Sequence, residues 1–295
     1  MASITPEDAA LLRQELPPLA TVEFDSSVFA QGRGRIEYRA GGSAGRPAIV
    51  LLHGIGSSSA GYRAQLAGLA DEFHVVAWNA PGFGNSAPLS ATEPNAADYA
   101  QALGGFIAAL GIARVAVLAG SSWGSVIAAT FAAGSPAAVQ SLVLSAPNTA
   151  RGRLEGTARE AELAALVRAG AASPGQDRSA VADRLLAPDT PAQVRSHVER
   201  LRDAVTPGGW RQAAHMLFTV HTPDLLAQLH CPIAIIAGTE DKVAPIDAHA
   251  AVLHAAAPAA RLHVLQNCGH MLKLEAPAQF NTIARTAAHE DRGTR

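Results

Sequence analysis

Six short apolar runs recur along this chain: Ala48-Ile49-Val50-Leu51-Leu52, Val75-Val76-Ala77-Trp78, Val115 to Leu118, Leu142-Val143-Leu144, Ile233-Ala234-Ile235-Ile236 and Leu262-His263-Val264-Leu265. Runs without polar alternation suit strands covered on both faces, which is what a parallel sheet requires. Between them lie alanine-rich stretches with leucine or isoleucine at three- and four-residue spacing, at about 60 to 70, 96 to 110, 123 to 133, 247 to 256 and 277 to 288. Strands alternating with helices specify an α/β fold with a mostly parallel, doubly wound sheet. Upstream, Val22-Glu23-Phe24-Asp25 and Arg35-Ile36-Glu37-Tyr38-Arg39 alternate like half-buried strands around Gly32 and Gly34, an antiparallel opening hairpin.

The alternation breaks between residues 148 and 222. That stretch holds two predicted helices, Thr157 to Ala169 and Pro191 to Asp203, a Ser-Pro-Gly-Gln-Asp loop at 173 to 177, and Thr206-Pro207-Gly208-Gly209, with no buried strand. A helical insertion in a parallel sheet reads as a cap over the C-terminal edge of the strands, where ligands bind. The expected organisation is a core of 1–147 and 223–295 with a helical cap, 148–222, inserted after the sixth strand.

A length of 295 residues, 48% hydrophobic and 16% charged, fits one large domain with an insertion. A net charge of −2 without a Lys/Arg run excludes a basic field for nucleic acid. The first residues lack the basic and apolar regions of a secretory signal, and no apolar run nears the ~18 residues of a membrane span. Cys231 and Cys268 fall at opposite ends of two predicted parallel strands, too far apart to bridge. A cytoplasmic monomer or homodimer with a small-molecule partner, and with no membrane or nucleic-acid partner, is the expectation.

The chemistry centres on Gly120-Ser121-Ser122-Trp123-Gly124, between the run Val115 to Ala119 and the helical pattern that follows. Strand, G-x-S-x-G, helix is a nucleophile elbow: a sharp turn forces the central residue into strained backbone geometry and lifts its side chain above the sheet. Ser122 is the expected nucleophile. Ser121 lacks the symmetric glycine frame, and Ser125 falls one turn into the helix.

A serine hydroxyl needs a base, and the base needs a carboxylate to orient it. Asp241 follows the run Ile233 to Ala237, with Glu240 as the rival acid, and His270 follows Leu262 to Gln266. Both positions lie past strand C-termini, on the edge that carries Ser122. His53-Gly54-Ile55-Gly56 follows the first parallel run, and its glycines let amides approach a ligand. The backbone N–H groups of Trp123 and Ile55 are the expected oxyanion donors, with Gly56 as the alternative to Ile55, while His53 is read as bracing its loop.

Together with Asn79-Ala80-Pro81-Gly82-Phe83-Gly84-Asn85-Ser86, these motifs resemble the α/β-hydrolase superfamily, from about residue 20 to 290. The resemblance implies a triad of Ser122, Asp241 and His270, and similarity to small bacterial carboxylesterases, enol-lactonases and carbon-carbon bond hydrolases. Two departures stand out. The family's D-x-P-G-x-G-x-S turn begins here with Asn79, and Ser121 stands where many esterases carry histidine and many carbon-carbon hydrolases carry asparagine.

The expected activity is hydrolysis of an ester or lactone of a small, fairly apolar acid by an acyl-enzyme on Ser122. The alternatives are carbon-carbon hydrolysis of a vinylogous diketone with the same triad, acyl transfer to another acceptor, or a low-turnover ligand receptor. No cofactor or metal is expected, for there is no H-E-x-x-H, no cysteine pair at zinc spacing and no G-x-G-x-x-G after a strand. Gly54, Gly56, Trp123, Trp210, Met216, Phe218 and Met271 are candidate pocket walls, and arginines of the insertion, Arg151, Arg153, Arg159, Arg168, Arg195 and Arg211, are candidate partners for a substrate carboxylate.

Overall fold

The computed structural model describes residues 4–170 and 178–290; the loop expected at 173 to 177 lies outside them. The strands are β1 (Ala20–Asp25), β2 (Arg33–Gly41), β3 (Ala48–Leu52), β4 (His74–Trp78), β5 (Val115–Ser121), β6 (Val139–Ser145), β7 (Ile233–Gly238) and β8 (Arg261–Leu265). They form one sheet in the order β1-β2-β4-β3-β5-β6-β7-β8. The β1–β2 and β2–β4 pairs are antiparallel and all others parallel, so the opening hairpin and the six apolar runs fall where the sequence puts them.

The helices are α1 (Pro6–Arg13), α2 (Arg63–Gly68), α3 (Ala96–Ala109), α4 (Trp123–Gly134), α5 (Gly156–Gly170), α6 (Arg178–Leu185), α7 (Ala192–Leu201), α8 (Pro207–Met216), α9 (Thr222–Leu226), α10 (Ala250–Ala256), α11 (Leu272–Glu275) and α12 (Pro277–His289). Strand residues divide with period two between the sheet's faces. Val50, Leu52, Val76, Trp78, Leu118, Leu142, Leu144 and Ile235 pack with α3 and α4. Ile49, Leu51, Val75, Ala77, Val117, Val143 and Ile236 pack with α2 and α12 on the other face. Burial on both faces is the physical reason the runs of β3 to β7 lack polar alternation; β8, at the sheet's edge, departs from the expectation, with Val264 exposed.

Helices α5 to α9 fill the interval between β6 and β7. Three of them, α6, α8 and α9, are not in the sequence reading. At α8 the Thr206 hydroxyl caps the helix by accepting from Gly209 N–H (2.9 Å), and Pro207 takes the first turn, where its missing N–H costs nothing. Gly208-Gly209 reads as a turn in sequence, yet Gly209 is there for a close approach: a Cβ on it would lie 2.2 Å from the Gly82 carbonyl oxygen.

Chain order sets where a ligand can bind. From β3 the chain crosses to β4 on one side, then to β5 on the other, so β3 and β5 flank a topological switch point with a crevice beyond their C-terminal ends. Leu52 of β3 pairs with Gly120 of β5, which brings His53-Gly54-Ile55-Gly56 beside Ser122. The approach is tight: a Cβ on Gly120 would meet the Gly124 oxygen at 2.3 Å, and one on Gly124 would meet the Leu52 oxygen at 2.4 Å. We expect Gly124→Ala to destabilise the protein by more than about 3 kcal/mol, since the start of α4 or the backbone at the end of β3 must shift. Urea denaturation against wild type measures it; a loss below about 1 kcal/mol would mean that this contact relaxes freely.

Candidate active site

Ser122 has φ 52° and ψ −115°, left-handed backbone in a residue with a side chain, as the elbow requires. Three things hold it there. Its N–H donates to the Ser145 carbonyl of β6 (2.9 Å), its carbonyl accepts from Ser125 N–H (2.9 Å), and α4 begins at the next residue. The N–H groups of Trp123 and Ile55 have no backbone acceptor among the described residues. Trp123 N–H also lies at the positive end of the α4 dipole.

Past β7, Asp241 is buried while Glu240 is exposed, so the expected carboxylate is the one turned inward. Its Oδ2 meets His270 Nδ1 at 2.8 Å, and its Oδ1 accepts from Val243 and Ala244 N–H, both at 2.8 Å. Burial pushes the Asp241 carboxyl up. The hydrogen bond and charge of His270 and the two amides outweigh this and hold it below its usual range. With Nδ1 committed to Asp241, the His270 ring presents Nε2 for other chemistry. Ser122 and His270 line one cavity, walled by Gly54, Ile55, Gly56, Leu185, Trp210 and Met271.

His53 holds the neighbouring loop, as read from sequence. Its Nε2 accepts from Ala80 N–H (3.0 Å), which makes Nδ1 the protonated nitrogen facing the Gly54 carbonyl (2.8 Å). Burial, opposed by the Gly54 bond and aided by Lys273, pushes its pKa from 6.5 down to about 4. A histidine held neutral this way contributes stability that is complete above pH 6.5 and is lost as pH falls toward 4. The window of roughly 2.5 units corresponds to about 3 kcal/mol. We expect wild type to lose markedly more stability between pH 7 and pH 4.5 than His53→Asn, read as the shift in urea midpoint; equal losses would remove His53 from the acid sensitivity.

Asn79 replaces the family's aspartate for an electrostatic reason. The Glu37 carboxylate is buried against it and accepts from Asn79 Nδ2 (2.7 Å) and Asn85 Nδ2 (3.0 Å). Asn79 Oδ1 meanwhile accepts from Ser59 N–H (2.8 Å). An aspartate would face a second carboxylate without a donor; the amide serves both sides.

Several expected wall residues lie elsewhere. Met216 and Phe218 are buried in the core cluster that also holds residues of α3 and α4, and Arg151 and Arg159 stack on the Phe218 ring. The Trp123 side chain is fully buried, bonded through Nε1 to the Ala213 carbonyl (3.0 Å) and edge-on to Tyr99. Arg151, Arg153 and Arg195 pair with Glu162, Asp224 and Asp183 at the surface. The arginines that do line the cavity are Arg184 and Arg202, joined by Lys273, and no periodicity in the sequence singles them out.

Glu275 is a second residue missed from sequence. Its buried carboxylate accepts from Gly269 N–H and Met271 N–H (each 3.1 Å), on both sides of His270, and from Ala187 N–H (2.8 Å) and the Thr190 hydroxyl (2.9 Å). It thus ties the His270 loop to the segment after α6, while His270 N–H donates to the Leu185 carbonyl (2.7 Å). Burial keeps the Glu275 carboxyl above its usual range despite these donors. Glu275→Ala strands several buried N–H groups and should cost about 3 kcal/mol, with Glu275→Gln recovering part of it. Denaturant midpoints of the two variants test this, and equal loss in both would point to volume rather than hydrogen bonding.

The family model for the alpha/beta hydrolase fold matches residues 47–277. An uncharacterized protein of Mycobacterium tuberculosis is 31% identical over 274 residues, spanning 84% of this chain and 76% of its own. A 2-hydroxy-6-oxononadienedioate/2-hydroxy-6-oxononatrienedioate hydrolase of Pseudomonas putida is 28% identical, over 81% of this chain and 86% of its own. Among solved structures, an esterase from Thermogutta terrifontis superposes with a TM-score of 0.79 at 21% identity, over 92% of this chain and all (100%) of its own. The chain belongs to the α/β-hydrolase family and is a hydrolase. Among the described residues, no helix is long and apolar enough to cross a membrane.

Proposed function

We propose that the protein is a serine hydrolase that cleaves an ester or lactone of a small acid through an acyl-enzyme on Ser122. The observation that carries this reading is the buried His270–Asp241 hydrogen bond of 2.8 Å on the cavity that the strained Ser122 also faces. Ser122 Oγ attacks the carbonyl carbon while His270 Nε2 takes its proton, and the Asp241 carboxylate stabilises the imidazolium. The Trp123 and Ile55 amides receive the oxyanion, each worth about 3 to 4 kcal/mol at the transition state. As the carbon–oxygen bond to the alcohol breaks, His270 returns the proton to the departing oxygen. Water, deprotonated by His270, then attacks the acyl carbon; the acid leaves and Ser122 recovers its proton.

Helices α5 to α9 act as a cap on the core in this reading, and no metal or organic cofactor takes part. Val181, Leu185, Val198, Leu201, Trp210 and Met271 give the cavity apolar walls, which suit a short hydrocarbon chain. A second reading, hydrolysis of a carbon-carbon bond in a vinylogous diketone by the same residues, draws on the activity named for the Pseudomonas putida relative.

The test is release of p-nitrophenol from a chain-length series of p-nitrophenyl esters, alongside Ser122→Ala. We expect turnover by wild type and a loss of about 10⁴-fold or more in the variant, with a fluorophosphonate adduct on Ser122 by mass spectrometry. Ester turnover that survives in Ser122→Ala would refute the acyl-enzyme. No ester turnover, but cleavage of a vinylogous 1,5-diketone, would select the second reading.

A further inference from the structure

Lys273 lies at 1% exposure, and among the described residues no other lysine or arginine is so deeply buried. Its Nζ donates to Ser121 Oγ (3.0 Å) and sits 5.1 Å from the centre of the Tyr62 ring. No carboxylate pairs with it among the described residues, since Glu275, two positions on, is spent on backbone N–H groups. An ammonium has three N–H donors, and one is used here. Taking such a charge out of water without a counter-ion costs several kcal/mol, and a methionine would fill the same volume without that cost. Burial lowers its pKa to about 8, with the Glu275 charge opposing.

The lysine faces the cavity that holds Ser122 and His270, and it is not alone there. Ser57 lines the same wall at 4% exposure, and its Oγ has no hydrogen-bond partner. The two are neighbours, both packed on Gly61: a Cβ placed there would lie 2.7 Å from Ser57 Oγ and 3.4 Å from Lys273 Cε. From the insertion come Arg184 and Arg202, the latter stacked on Trp210 with its guanidinium carbon 5.0 Å from the ring centre. Burial and then the charges of Arg184 and Arg178 push the Arg202 pKa down, a sign of uncompensated positive field. Among the described residues, no Asp or Glu lines this cavity.

We propose that this buried end is a carboxylate subsite: the substrate's acid portion bears a second carboxylate, which accepts from Lys273 Nζ and Ser57 Oγ in the field of Arg184 and Arg202. For an ester, the acid portion is the one held there because the alcohol must escape before water attacks, and Lys273 and Ser57 are closed off from solvent; in a lactone the alcohol stays on the acyl chain and the second carboxylate takes the same place. The inference rests on the serine-hydrolase reading for the bond that is cut, and it narrows the substrate to half-esters or lactones of a short dicarboxylic acid. The apolar walls then contact the methylene chain between the two ends.

The experiment compares kcat/KM for mono-p-nitrophenyl succinate, glutarate and adipate with p-nitrophenyl butyrate, pentanoate and hexanoate. We expect at least one diacid ester to exceed its neutral counterpart by about tenfold or more, and Lys273→Met to cut that ratio at least tenfold, chiefly through KM. Wild type favouring every neutral ester overturns the subsite. So does a ratio unchanged in Lys273→Met, which would leave Lys273 only propping Ser121. Lys273→Gln serves if the methionine variant does not fold.

Calorimetry on Ser122→Ala separates this from the catalytic reading, because it needs no turnover. Glutarate binding at least tenfold tighter than pentanoate, with the difference lost on adding Lys273→Met, supports the subsite even if no ester is cleaved. Equal affinities refute it even if esters are.

Discussion

Everything at the candidate catalytic edge depends on backbone contact between the ends of β3 and β5. Gly120 and Gly124 allow the turn at Ser122 to fold within 2.3 to 2.4 Å of space that a Cβ would need. That closeness lets Leu52 pair with Gly120, and the pairing sets the Gly54–Ile55 backbone beside Ser122. The strain at φ 52° is tolerated because hydrogen bonds on both sides over-determine it. Without the contact there would be a parallel sheet, but the Gly54–Ile55 backbone would not stand beside Ser122.

A second constraint is electrostatic. The edge of the sheet concentrates buried charge, and each carboxylate is handled differently. Asp241 is hydrogen-bonded by His270 and two amides, Glu275 by the loop N–H groups it gathers, and Glu37 by asparagines. Burial raises an isolated carboxyl and donors lower it, so the pKa directions of Asp241 and Glu275 report which effect wins at each. Lys273 is the exception, a buried cation with a hydroxyl for its bonded partner. A charge left uncompensated inside a cavity suits a ligand that brings the opposite one.

The helices between β6 and β7 matter to the core as well as to the cavity. Ala187 and Thr190 share Glu275 with the His270 loop, and a Cβ on Gly269 would lie 2.7 Å from Ala187 N and the Leu185 oxygen. At the other end, the Thr206 hydroxyl donates to the Gly82 carbonyl (2.7 Å) and Val205 bridges to Phe83. The insertion is thus fastened on both sides of the crevice, and its position and that of the candidate base are set together.

The sequence by itself determined the sheet, its order of elements and the placement of Ser122, Asp241 and His270 at strand C-termini, because hydrophobic period and glycine spacing are local properties. It also placed Gly54, Gly56, Trp210 and Met271, which do border the cavity. It misplaced Met216 and Phe218, since an apolar residue reads the same in sequence whether its side chain meets a pocket or a core. Glu275 and Lys273 lie two residues apart on α11 and were legible only as charges near a helix; the fold turns one to the His270 loop and the other under Ser121. Tertiary structure alone decided which of the chain's many cations face the cavity, because burial without a counter-ion is a property of packing across distant segments and leaves no periodic mark in the chain.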